Sequence, residues 1–155
     1  MNDLFMEIFD KYHKDVYRLI YSYTLNIQDT EDILQRTFIK LYKNIDKFSS
    51  CDLEVKRWLF RVAINDSKNM LKSMWMKVRV NLEEYENAIS DECNDKELQR
   101  ALKNISGKYR IPLYLYYFEG YSIKEIADLM KMSESGIKTR LKRGKEKLKL
   151  EMEDK

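Results

Sequence analysis

Apolar residues recur at intervals of three and four along almost the whole chain, a spacing that admits little besides α-helix. The first stripe runs through Phe5, Ile8, Phe9, Tyr12, Val16, Leu19, Ile20 and Tyr23, one long amphipathic helix or two stacked ones. After a polar break at Asn26 to Asp29 comes a second stripe, Leu34, Phe38, Leu41, Tyr42 and Ile45. A third, Val55, Trp58, Leu59 and Val62, follows a short loop at Asp46 to Asp52. Each has the form of a helix face that must be buried. With 4 Gly and 1 Pro, the sequence has too few turn residues for a many-stranded sandwich or barrel. The expected fold is all-α.

The periodicity weakens between Met76 and Asp95, where Glu, Asp, Asn and Ser dominate. It resumes at Leu98, Ala101, Leu102 and Ile105, again at Leu113, Tyr116 and Tyr117, and then at Ile123, Ile126, Ala127 and Met130. Ile137, Leu141 and Leu148 form the last stripe. The chain of 155 residues therefore reads as two small helical domains, 1–76 and 96–155, joined by a flexible acidic linker at 77–95.

Charge follows the same division. Residues 1–55 carry a net −3, residues 56–80 a net +6, residues 81–97 a net −6 and residues 98–155 a net +6. Two basic surfaces separated by an acidic segment suit two contacts with a polyanion, because each Lys or Arg placed at a phosphate releases condensed counterions. Solvated helix faces would carry the same charge. Other classes fit less well. No apolar run approaches the roughly 18 residues of a membrane span, and the N-terminus lacks a basic segment followed by an apolar one. Cys51 and Cys93, with His13, cannot supply four zinc ligands. His13 has no nucleophile partner and reads as a solvent-facing histidine, the cysteines read as a loop thiol and a linker thiol, and there is no Gly-rich phosphate loop. The expectation is a cytoplasmic protein that is not an enzyme and needs no metal or cofactor.

One motif carries more. Ser122 and Glu125 stand in the S-x-x-E order of a capping box and open a short helix with Ile123, Ile126, Ala127 and Met130 on one face. Lys131, Met132 and Ser133 form a brief break, and Ser133 can cap a second helix with Ile137 and Leu141 inside. The small Ala127 permits the close crossing that a helix-turn-helix requires. Outward positions of the second helix are Glu134, Ser135, Lys138, Thr139, Lys142 and Arg143, all able to bond base edges or phosphates in a major groove. Basic residues, Arg140 among them, thicken toward its end: Lys145, Lys147 and Lys149.

The stretch Glu119-Gly120-Tyr121-Ser122-Ile123-Lys124-Glu125-Ile126-Ala127, with Met132-Ser133-Glu134-Ser135-Gly136-Ile137-Lys138-Thr139-Arg140-Leu141, resembles the promoter-reading C-terminal domain of bacterial sigma factors. Asp29-Thr30-Glu31-Asp32, Gln35-Arg36-Thr37-Phe38 and Trp58-Leu59-Phe60-Arg61-Val62-Ala63-Ile64-Asn65 resemble the core domain of the same proteins. Both sets, in this order across a short linker, are similar to the extracytoplasmic-function group. Departures from its pattern are Lys131 where the turn often has Gly, Ser135-Gly136 where Gly-Thr is usual, and Arg36 where Glu is usual. Pro112 interrupts the usual helix start, which a first helical turn tolerates.

The resemblance implies that the first domain binds core RNA polymerase and the minus-ten element of promoter DNA, and that the second binds the minus-thirty-five element. On that basis Asp29, Asp32, Gln35 and Arg36 form the polymerase-docking face. The loop with Phe48, Ser49 and Ser50 receives a flipped base. Lys56, Arg57, Arg61, Asn65, Lys68, Asn69 and Lys72 form a track beside the opened strand, while Trp58 belongs to the core. Ser133, Glu134, Ser135, Lys138, Thr139, Arg140, Lys142 and Arg143 read the upstream element. An anti-sigma factor is a further possible partner. The alternative, a one-component helix-turn-helix regulator, leaves the motifs of the first half unexplained.

Overall fold

The computed structural model describes residues 2–74 and 96–153, and the acidic linker expected at 77–95 lies outside them. Every regular element among the described residues is helical. The chain divides into two units, Met1–Lys77 and Val78–Lys155.

The first unit packs three helices against one another: α1 (Asn2–Thr24), α2 (Ile27–Lys43) and α3 (Leu53–Met74), with a 3-10 turn at Ile45–Lys47. The first apolar stripe is one unbroken helix, which buries Ile8, Val16, Leu19, Ile20 and Tyr21 completely. It ends at Leu25, a left-handed residue (φ 53°) whose N–H donates to the Tyr21 carbonyl. That conformation is unfavourable for a side chain other than Gly, but Leu25 is itself buried, and the burial offsets the strain. The polar break expected at Asn26 to Asp29 is mostly helix. Asn26 is the N-cap, its Oδ1 accepting from the Asp29 N–H at 2.8 Å, so Gln28 and Asp29 form the first turn of α2, where a carboxylate complements the helix dipole. Beneath this corner the hydroxyls of Thr24 and Thr30 meet at 2.6 Å.

The second stripe is rotated from the expected face. Ile33, Phe38 and Leu41 are buried together with Thr30 and Thr37, because the Thr37 hydroxyl donates to the Ile33 carbonyl and so enters the core satisfied. Leu34 and Tyr42 instead line an open groove of about 580 Å³ with Phe5 and Phe9. On α3 the buried face is Val55, Leu59, Phe60, Ala63 and Ile64. Trp58 and Val62 are only half-buried at its edge, so Trp58 is not a core residue.

The second unit contains α4 (Lys96–Lys103), α5 (Gly107–Tyr117), α6 (Ile123–Met130) and α7 (Glu134–Glu153), and α7 packs on all three others. In helix α5, Arg110 to Leu115 are buried without interruption. The stripe through Tyr116 and Tyr117 is therefore corrected: both residues are exposed, at 39% and 51%, because packing on several sides removes the one-sided pattern. Pro112 lies in the helix interior rather than in its first turn, since Ser106 caps α5 upstream by accepting from the Lys108 N–H. The missing N–H at Pro112 removes one helical bond. Arg110 is buried and donates from Nη1 to the Ile105 carbonyl at 2.7 Å, tying α5 to the end of α4.

Candidate nucleic-acid interface

In the second unit the capping box is complete. Ser122 Oγ accepts from the Glu125 N–H at 3.1 Å, and Glu125 Oε1 accepts from the Ser122 N–H at 3.1 Å. Helix α6 closes on Lys131, left-handed at φ 55° and ψ 50°, and the Met132 N–H returns to the Ala127 carbonyl at 2.9 Å. Without Gly there, the turn carries a backbone cost on an exposed residue. Ser133 Oγ then accepts from the Gly136 N–H at 3.0 Å, so α7 starts at Glu134 after a three-residue turn.

Helix α7 is held by its inner face. Ile137 and Leu141 are buried, and so is Gly144, where a Cβ would sit 3.0 Å from Leu113 Cδ1 and 3.3 Å from Tyr109 Cβ. That glycine sets how closely α7 approaches α5. Gly136, which departs from the usual pattern, has a packing reason, because a Cβ there would lie 3.2 Å from the Ser133 capping oxygen. Opposite this face, Glu134, Ser135, Lys138, Thr139, Lys142 and Arg143 are all exposed. Arg140 is half-buried at the flank, and the Thr139 hydroxyl donates to the Ser135 carbonyl, which leaves its oxygen to accept. Further along, Lys145 lies over the Tyr117 ring at 5.8 Å and Lys147 over the Tyr109 ring at 5.4 Å. A hydrogen bond to Tyr117 holds the Lys145 ammonium above its ordinary pKa.

In the first unit the expected track lies on α3. Arg57, Arg61, Asn65 and Asn69 are exposed at intervals of four, with Lys68 half-buried beside them, and Lys72 is carried by the same helix. Asp66, the acidic group in this stretch, is bound through both oxygens by Lys40 of α2, at 2.8 and 3.0 Å. Lys56 does not belong to the outward track. It stands one position off that line and turns to α1, with its ammonium 3.4 Å from Asp15 Oδ2 and over the rings of Tyr12 and Phe60 at 5.9 and 5.4 Å. Asp15 also holds Arg18 at 3.2 Å.

The expected loop begins with the 3-10 turn. Phe48 meets Trp58 edge to face at 5.4 Å, and Ser49 and Ser50 are exposed. Asp52 closes the loop as the cap of α3: its Oδ1 accepts from the Glu54 and Val55 N–H groups, and its Oδ2 from the Ser50 hydroxyl. These bonds hold the carboxyl below the usual range. The buried Tyr12 donates its phenol to the Asp52 carbonyl at 3.0 Å. Burial pushes both the Tyr12 phenol and the half-buried Cys51 thiol up, so each stays protonated at neutral pH. The Asp52 cap was readable as an acid just before a stripe, but a contact between residues 12 and 52 leaves no local signal.

On α2, Asp32 and Arg36 are exposed and pair across one turn at 3.7 Å. Gln35 is exposed at the groove rim, and Asp29 is half-buried at the start of the helix. His13 is half-buried rather than freely solvent-facing. It stacks on Phe9 at 4.6 Å, with Nδ1 2.7 Å from the Phe9 carbonyl, because the first turns of α1 form an aromatic cluster. Among the described residues there is no group of three His, Cys, Asp or Glu placed to hold a metal, and no helix long and apolar enough to cross a membrane.

Comparison with known proteins agrees with this arrangement. Residues 8–76 match the family model Sigma-70 region 2, and residues 95–148 match Sigma-70, region 4. The ECF RNA polymerase sigma factor SigM of Bacillus subtilis is 30% identical over 151 residues, covering 92% of this chain and 91% of that protein. SigW of the same organism is 27% identical over 170 residues, covering 98% and 90%. Among solved structures, the sigma factor RpoE from Bartonella quintana, in complex with the anti-sigma factor NepR, shares the fold. Its TM-score is 0.73 at 17% identity, over 99% of this chain and 98% of that one. Two matched regions in order, and a relative covered over nearly its whole length, place the chain in the extracytoplasmic-function group of RNA polymerase sigma factors.

Proposed function

We propose that residues 1–76 bind core RNA polymerase and the minus-ten element, that 77–95 is a tether, and that 96–155 reads the minus-thirty-five element. The observation that carries this division of labour is the α7 pattern, an outer face of exposed polar and basic side chains over a buried Ile137, Leu141 and Gly144. A helix held so firmly from behind presents its front residues to a groove in one register. Ser133 acts through its cap, Glu134, Ser135, Lys138 and Thr139 face base edges, and Arg140, Lys142 and Arg143 contact phosphates.

In the first unit Phe48, Ser49 and Ser50 receive a base, and Arg57, Arg61, Asn65, Lys68, Asn69 and Lys72 follow the opened strand. Lys56 supports that surface from behind. Polymerase docks on the exposed part of α2, through Asp32, Gln35 and Arg36, with Asp29 fixing the start of that helix. The protein works by binding, not by catalysis, and acts where the polymerase is, in the cytoplasm. Solved relatives seen with anti-sigma factors suggest that an inhibitor of that kind is a further partner.

Reconstitution with core polymerase on candidate promoters tests the proposal: initiation that core enzyme alone does not give is the expected result. Charge reversal at Asp32 and Arg36 together should weaken the complex with core while leaving the helical signal and melting temperature in place. Unchanged affinity would move the docking surface elsewhere. A one-component regulator would bind duplex DNA without core and give no initiation, and the region 2 match argues against it.

A further inference from the structure

We infer that Tyr12 is a positioning residue for the minus-ten loop, holding Phe48 to Asp52 in a receiving shape before DNA arrives, with Lys56 as its support. The inference rests on the reading of that loop as the base-receiving one. The loop is fastened at both ends by different means. At its start Phe48 leans on Trp58. At its end the Asp52 side chain is spent on the cap of α3 and on Ser50, and the Asp52 carbonyl is held separately by Tyr12.

Tyr12 comes from another helix, so it fixes the loop relative to the body of the unit and not merely to α3. Its ring is buried beside the Lys56 ammonium, which Asp15 anchors in turn. Between the two fastenings only a short stretch, with Ser49 and Ser50 exposed, is left to meet a ligand. A loop already ordered loses less conformational freedom on binding, and a fixed polar edge discriminates among bases better than a moving one. A phenol that stays protonated keeps donating across the whole physiological range.

The experiment uses full-length protein in holoenzyme and a promoter library randomised across the minus-ten element, with affinity for core polymerase and thermal melting measured in parallel. Tyr12→Phe removes the hydroxyl alone. It should flatten the preference at one base position about three- to tenfold, the effect of one lost hydrogen bond, with core affinity within about twofold of the parent. Lys56→Met should act at the same position more weakly, and Lys56→Arg, which keeps a cation over the rings, should restore it.

The double variant Phe48→Ala with Ser49→Ala reports on the loop itself. If it flattens one position while Tyr12→Phe and Lys56→Met change none, or lower all positions alike, the positioning role is overturned and the base-receiving loop stands. If the double variant changes no position, the loop reading falls and the inference falls with it.

Discussion

The two basic surfaces are built in opposite ways. On α7 the side chains proposed to meet DNA project into solvent, and the helix is gripped from behind by Ile137, Leu141 and the gap at Gly144. At the loop and α3, side chains that looked equally available are engaged within the protein: Lys56 with Asp15, Phe48 with Trp58, Ser50 with Asp52. A rigid element can leave its reading residues unattached, whereas a loop must spend some of its own residues on holding still. Duplex DNA, a regular partner, suits the first arrangement. An extruded base, which must be met one at a time, suits the second.

The largest expected effect tests the grip on α7. Gly144→Leu pushes side-chain atoms into Leu113 and Tyr109 and should destabilise the second unit by about 1–3 kcal/mol in chemical denaturation. A neutral result would mean that α7 is not fixed from behind, and the contrast would dissolve.

Next, Glu134→Ala should alter preference at one upstream position, by up to about 1–3 kcal/mol for a lost base contact, with a stability loss of no more than about 0.3–1 kcal/mol from the first-turn carboxylate. Lys147→Ala should weaken all sequences alike and lower the salt slope by about one unit. Library transcription by holoenzyme separates the two, and reversed outcomes would place the wrong end of α7 in the groove.

A smaller effect compares the two left-handed corners. Lys131→Gly should stabilise by about 0.5–1 kcal/mol, because an exposed side chain gives nothing back for its strain. Leu25→Gly should destabilise instead, since a buried side chain is lost. Thermal melts of the two variants moving the same way would refute the argument.

The smallest concerns pH. The Asp52 carboxyl is held below its ordinary value of 3.8, so its contribution is fully present above that value and is lost as pH falls through the lowered folded one. Asp52→Asn should therefore flatten the acid limb of the stability profile below about pH 3.8 and leave the slope at neutral pH unchanged. An acid limb identical to the parent's would show that another carboxyl controls it.

Much of the fold was legible because its signals are local. Helical spacing locates α1, α3 and α6, and S-x-x-E announces the cap at Ser122. The outer face of α7 follows from the positions of Ile137 and Leu141. Rotation of α2 was not legible, since Thr37 counts as polar until its hydroxyl is seen bonded to its own helix. Helix α5 hid its exposed rings for the opposite reason, being apolar on nearly every side. The internal pairing of Lys56 was not legible because a lysine on a basic helix looks like its neighbours, and only the distant Asp15 and Tyr12 distinguish it. The motifs resembling sigma factors announced the two matched regions, yet no motif reveals which residues serve by holding others.

The ring contact between Phe48 and Trp58 gives the loop an optical signature. The sequence contains 2 Trp, Trp58 and Trp75, so Trp75→Phe would leave a single indole beside the loop proposed to receive a base. Its emission depends on the polarity and motion of what lies against it, and Phe48 lies against it now. A strand that draws Phe48 away would change intensity and wavelength together, with no dye attached and no label on the DNA. If the loop receives a base as proposed, binding of a single-stranded minus-ten oligonucleotide to the Trp75→Phe protein should change this emission, and no change would count against that role.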